Sequence, residues 1–255
     1  MASFSDYIQK QAIASVELPM VHTTEYSRLA PIQASNTLQA RMCTIFKEPL
    51  LYFFYGRPAY RDTSQINPTR DVGFYPICFV FRPGTICKKA KRVYPFDTGA
   101  SQGGLYEPAV KRTEALGGYP VLAAVESARK IVTCFFDTEE QYLSNNPKSG
   151  LLFSPAENDA QMYYELINGG GDPGCDDRCS AVEIQIAESL DIRTDLMAIV
   201  LPTCFLENDD LARTILNVWR AEPLTYDADT GMRPIEFHGT VRYKIREFYR
   251  RSGLL

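Results

Sequence analysis

The stretch LLYFFYGRPAYR, Leu50 to Arg61, decides how this chain is read. Its first five residues, Leu50 to Phe54, are apolar or aromatic without alternation. Such a run predicts a strand buried on both faces. Gly56 and Pro58 end it. Arg57 therefore leaves a buried strand at a turn, where a cation meets either solvent or a ligand. Arg61 lies just beyond it.

Outward from this strand the pattern alternates irregularly between helix and strand. Towards the N-terminus, residues 4–16 predict a short helix, and 20–24 a strand carrying His22. Residues 26–40 predict a short helix, a turn and a strand. Towards the C-terminus, 75–83 reads as a strand closed by Pro83 and Gly84. A basic segment follows, with Arg82, Lys88, Lys89, Lys91 and Arg92. The glycine-rich and polar stretch 97–120 predicts a long loop. Helices are expected over 120–136, 158–171 and 208–221. Strands are expected over 180–192 and 196–205, and the tail 240–251 is basic and aromatic. The order has no βαβ rhythm, so the expected class is α+β, in a single domain spanning 1–255.

Bulk properties exclude several roles. At 45% hydrophobic and 23% charged residues, the chain has the composition of a soluble globular protein. Its net charge of −4 argues against broad attraction to a phosphate backbone. No apolar run approaches the roughly 20 residues that span a bilayer, and no signal peptide opens the sequence. No membrane partner is expected. Seven scattered cysteines, an odd number, suggest reduced thiols and a cytoplasmic setting. Cys175 and Cys179 with only two histidines make a thin basis for zinc, so no metal is expected. Neither a dinucleotide-binding glycine fingerprint nor a P-loop is present.

Three features stand in sequence order: "HTTEYSRLAPI" from His22, "LYFFYGRPAY" from Leu51, and "AVEIQI" from Ala181 after a glycine-rich loop. This order resembles the ADP-ribosyltransferase superfamily, and within it the DarT-type toxins that ADP-ribosylate DNA. The likeness runs over roughly residues 20–205, with Gly56 where the family has proline. It implies an ADP-ribosyltransferase-like split, mostly antiparallel sheet with peripheral helices. It also implies that NAD is the substrate and that Glu183, at the head of a strand, is the catalytic carboxylate. Glu188 is its competitor in the same segment.

The chemistry suits those residue types. Cleaving the nicotinamide–ribose bond builds positive charge at the anomeric carbon, which a carboxylate favours while holding the 2′-hydroxyl. The same carboxylate can take a proton from the acceptor. The resemblance gives His22 a ribose hydroxyl and Thr24 a supporting contact to the nucleotide. Arg57 would reach the NAD phosphates or the acceptor, with Arg61 as a second phosphate contact. Tyr55 and Tyr60 are candidates to flank nicotinamide, while Tyr52 suits core packing. The expected acceptor is a nucleic-acid base, tracked by the basic aromatic segments 82–92 and 242–251. The role implied is a toxin or anti-phage effector, restrained by an antitoxin protein or a reversing hydrolase. The alternatives are a protein acceptor or water (an NAD glycohydrolase), and a non-catalytic module that binds nucleic acid or protein.

Overall fold

The computed structural model describes residues 2–13, 16–59, 67–107, 110–169, 176–229 and 231–255. Ten strands are present among them: β1 Met20–Glu25, β2 Thr37–Leu38, β3 Arg41–Met42, β4 Pro49–Tyr55, β5 Pro76–Phe81, β6 Ala90–Tyr94, β7 Glu183–Ile186, β8 Leu190–Asp191, β9 Leu196–Pro202 and β10 Glu222–Tyr226. Seven of them form the order β10-β9-β5-β1-β4-β7-β6, and β3 adds to β4. Among the described strands only the β9–β10 pair is parallel. The fold is thus mixed, with a mostly antiparallel central sheet.

The sheet is narrowest in its middle. β1 pairs with β5 along its whole length, from Met20↔Phe81 to Glu25↔Pro76. With β4 its register holds only Met20↔Tyr55 and Val21↔Phe54. Beyond Val21 the two strands part. β4 then continues against β7, with Leu51↔Ile186 through Phe54↔Glu183. The apolar run that makes β4 is buried along nearly all its length, with Tyr52 half-buried. That burial on both faces is what an unbroken apolar strand requires.

Among the described residues ten α-helices surround the sheet: α1 Phe4–Gln9, α2 Leu29–Ser35, α3 Gly84–Lys88, α4 Thr98–Gln102, α5 Arg112–Gly118, α6 Val125–Phe135, α7 Glu139–Leu143, α8 Asn158–Ile167, α9 Asp209–Arg213 and α10 His238–Arg251. α10 lays Val241, Ile245, Phe248 and Tyr249 onto β5, β9 and β10. Their spacing of three and four residues is that of one helix face. No helix among the described residues is long and apolar enough to cross a membrane.

Several expected elements change character. The stretch 97–120 holds α4 and α5 rather than a long loop, because Asp97 caps α4 by accepting the Ala100 N–H at 3.0 Å. The basic segment after Pro83 is α3 followed by β6. β6 is an end strand of the sheet, where charged side chains can leave one edge for solvent. Residues 180–192 divide into the end of a 3-10 turn (Asp177–Ser180), β7 and β8. The helix expected over 208–221 is α9 with a π-helical turn at Thr214–Val218.

Candidate functional site

The parting of β1 from β4 opens a cleft of about 260 Å³. Its walls come from β1 (His22 to Glu25), from α2 and the 3-10 turn before it, from the β2–β3 segment, and from Leu50 to Tyr52 of β4. The volume falls just below the usual range for small-molecule sites.

His22 stands at the inner end, between the rings of Phe53 (5.7 Å) and Phe79 (6.4 Å). Its Nδ1 lies 2.8 Å from the Tyr52 carbonyl oxygen. A carbonyl only accepts, so Nδ1 carries the hydrogen. Burial holds the imidazole pKa below its ordinary value, outweighing the Tyr52 bond, and the Arg41 charge adds to the lowering. The ring is therefore neutral near pH 7, and its Nε2 is an acceptor suited to a hydroxyl. Thr24 is half-buried two residues on and lines the same cleft.

Two cations in this cleft were not picked out by sequence reasoning: Arg28 and Arg41. Both are exposed, and among the described residues neither is in an ion pair. Their only sequence signal is that they flank a short helix–turn–strand next to the His22 strand. Together with Ile32, Leu38 and Leu51 they suit an anionic ligand with apolar parts.

Glu183 lies elsewhere. It heads β7 at 1% exposure. Its Oε2 accepts the Thr98 N–H (3.0 Å), and its Oε1 accepts from Thr98 Oγ1 (2.8 Å) and Gln185 Nε2 (2.7 Å). Burial, and then the charge of Asp97, push its carboxyl up to about 8, with the three hydrogen bonds pulling the other way. Asp97 is itself buried and raised, with the Arg178 charge opposing the rise.

The register shows how the two candidates relate. Val21, Phe54 and Glu183 form one rung across β1, β4 and β7. Two strand spacings put the backbones of Val21 and Glu183 about 10 Å apart. Residues directly opposite share a face, and the next residue takes the other. His22 and Glu183 thus sit close along the backbone but on opposite faces. Their neighbours agree: His22 touches Phe53, whereas Glu183 acts on Tyr52. Burial, the 2.8 Å contact to Cys43 and the Glu183 charge all hold the Tyr52 hydroxyl above its ordinary range. Tyr52 is the partition between the cleft and the buried carboxylate.

Arg57 is wholly buried. Its Nη1 donates to the Tyr142 carbonyl (3.0 Å), and its Nη2 to the Asp177 carbonyl (2.8 Å) and to Ser180 Oγ. Its guanidinium carbon lies 4.8 Å from the Tyr142 ring centroid. It ties the end of β4 to α7 and to the turn before β7. Tyr55 is also buried, its hydroxyl taking the Leu18 N–H at 2.9 Å. Tyr60 and Arg61 lie outside the described residues, as do residues 170–175 of the glycine-rich loop. Glu188 is 65% exposed and pairs with Lys89 at 2.6 Å.

The basic segments are largely matched internally. Glu48 pairs with Lys91 and with Arg92 (2.5 Å), and Glu140 with Arg246 (2.8 Å) and Arg250 (2.7 Å). Asp177 takes Arg242 at 2.6 Å, and Glu222 takes Arg251. No protein-family model matches the chain, and no curated protein matches it.

Proposed function

We propose that the protein is an NAD-dependent ADP-ribosyltransferase whose acceptor is a nucleic-acid base, acting as a toxin or in defence against phage. The observation that carries the reading is the cleft at the parting of β1 and β4. It joins a neutral His22, Thr24 and two arginines, in no ion pair among the described residues, in one concave site. His22 Nε2 would accept a ribose hydroxyl, and Arg28 and Arg41 would face the diphosphate. In the reaction the bond from the ribose anomeric carbon to nicotinamide breaks, and its electron pair leaves with nicotinamide. The acceptor atom bonds to that carbon and its proton passes to Glu183. The reading makes one structural demand. Glu183 must reach the ribose past Tyr52 as NAD binds. The positive charge of nicotinamide riboside would help, because a nearby cation favours the ionised carboxylate.

A protein acceptor or water is the second reading, favoured by one observation. Most basic side chains of the two expected nucleic-acid segments are already held by Glu48, Glu140, Asp177, Glu188 and Glu222. Incubation with ADP-ribose-labelled NAD separates the readings. Label on an oligonucleotide supports the first, and label on protein or in free ADP-ribose supports the second. Neither binding nor turnover of NAD would sink both and leave a non-catalytic binding module.

The cleft itself yields a prediction. Arg28→Gln and Arg41→Gln should each weaken NAD binding about fivefold, the usual scale for one partly solvated charge contact. Arg251→Gln, on the far end of α10, should leave it unchanged. Titration calorimetry with NAD reads this directly, and unaltered affinity in the double variant would move the diphosphate out of the cleft.

A further inference from the structure

We propose that the Thr98 hydroxyl is the proton-switching partner of Glu183: it donates to Oε1 while the carboxylate is ionised and accepts from Oε1–H once the carboxyl is protonated. The argument is an inventory of hydrogen-bonding capacity. Thr98 N–H, on Oε2, can only donate. Gln185 Nε2, on Oε1, is also a fixed donor. Its amide cannot turn over, because Arg92 Nη1 donates to Gln185 Oε1 at 3.2 Å and a guanidinium has no acceptor. Among the partners of Glu183 in the described residues, only Thr98 Oγ1, at 2.8 Å, can play both parts. A buried acid proton without an acceptor is costly. So the proton sits on Oε1 and points at Thr98.

The surroundings make the switch matter. Asp97 faces Glu183 from the start of α4, Tyr52 from β4, and Tyr94 and Arg92 from β6, with Arg178 beyond Asp97. Burial and Asp97 favour the neutral carboxyl and push it up to about 8. A group that must take a proton from an acceptor and return it needs both forms held in one place. That catalytic meaning rests on the transferase reading, whereas the partnership with Glu183 does not.

The test follows the Glu183 carboxyl by infrared difference spectroscopy across pH, its band assigned by loss in Glu183→Gln. Thr98→Val should raise the titration midpoint by about one pH unit, since the charge-assisted bond it removes is stronger than the neutral one. Thr98→Ser should restore the wild-type midpoint. If Thr98→Val does not fold, Thr98→Ala carries the same expectation. No upward shift in these variants, or an equal shift in Thr98→Ser, overturns the proposal. NAD cleavage is measured alongside. The expected shift without NAD cleavage by any form, wild type included, supports the proton partnership and overturns the transferase reading.

Discussion

Glu183→Gln is expected to lower NAD cleavage by about 100-fold or more while leaving NAD binding nearly intact. The magnitude is that of losing one preorganised electrostatic group felt mainly in the transition state. The same substitution has a consequence that needs no substrate. The native carboxyl titrates at about 8 against an ordinary 4.5. The folded chain thus holds this proton more tightly than the unfolded one. The contribution of this one group to stability is full below pH 4.5 and is lost as pH rises through about 8, on the order of 5 kcal/mol in all. Glutamine cannot ionise, so the variant should lack that slope. Its amide nitrogen must meet a fixed donor, Thr98 N–H or Gln185 Nε2, which gives a pH-independent offset. The readout is therefore the slope of unfolding free energy from urea curves between pH 5 and 8.5. Parallel slopes would show that Glu183 does not titrate there, and equal turnover would remove it from catalysis. Glu188→Gln, exposed beside Lys89, should change neither.

The two halves of this reading were unequally legible. Local signals carried the elements. The apolar run gave β4, and Val125, Ala128, Ile131, Val132 and Phe135 gave one face of α6. Destinations across the fold were not legible. Arg57 leaves its strand at Gly56 as expected, but its partners Tyr142 and Asp177 are 85 and 120 residues away. No local pattern tells a buried anchor from a solvated charge. The partners of the basic runs were hidden for the same reason. One acid, Glu48 or Glu140, holds two cations from a distant segment. Thr98 lay in a stretch read as loop, 85 residues before the carboxylate it holds. The strand head carrying Glu183 was visible, but the face it takes depends on the rung through Phe54 and Val21. A shift of one residue in that register would have put it beside His22.

Arg57→Ala should destabilise the fold by about 2–4 kcal/mol, through lost charge-assisted hydrogen bonds and the space left by a large buried side chain. The alanine leaves Tyr142 O with the Asn145 N–H (3.0 Å) alone, Asp177 O with Ser180 Oγ (3.4 Å), and Ser180 Oγ without the guanidinium that donates to it. The three losses do not add, because one side chain served all three contacts. The Tyr142 ring also loses the cation stacked on it. Arg57→Lys should recover less than half of the loss, since one ammonium cannot span carbonyls on α7 and on the turn before β7. The damage should not stay local. Tyr142 Oη donates to the Tyr55 carbonyl at 2.8 Å and receives the Val182 N–H at 3.2 Å, and Val182 immediately precedes Glu183. Under the transferase reading Arg57 then serves catalysis by fixing the approach to β7, and its loss should cut turnover more than NAD affinity. Urea midpoints at unchanged slope measure the stability. A loss below about 1 kcal/mol would return Arg57 to solvent, or to a ligand, and dissolve the anchor.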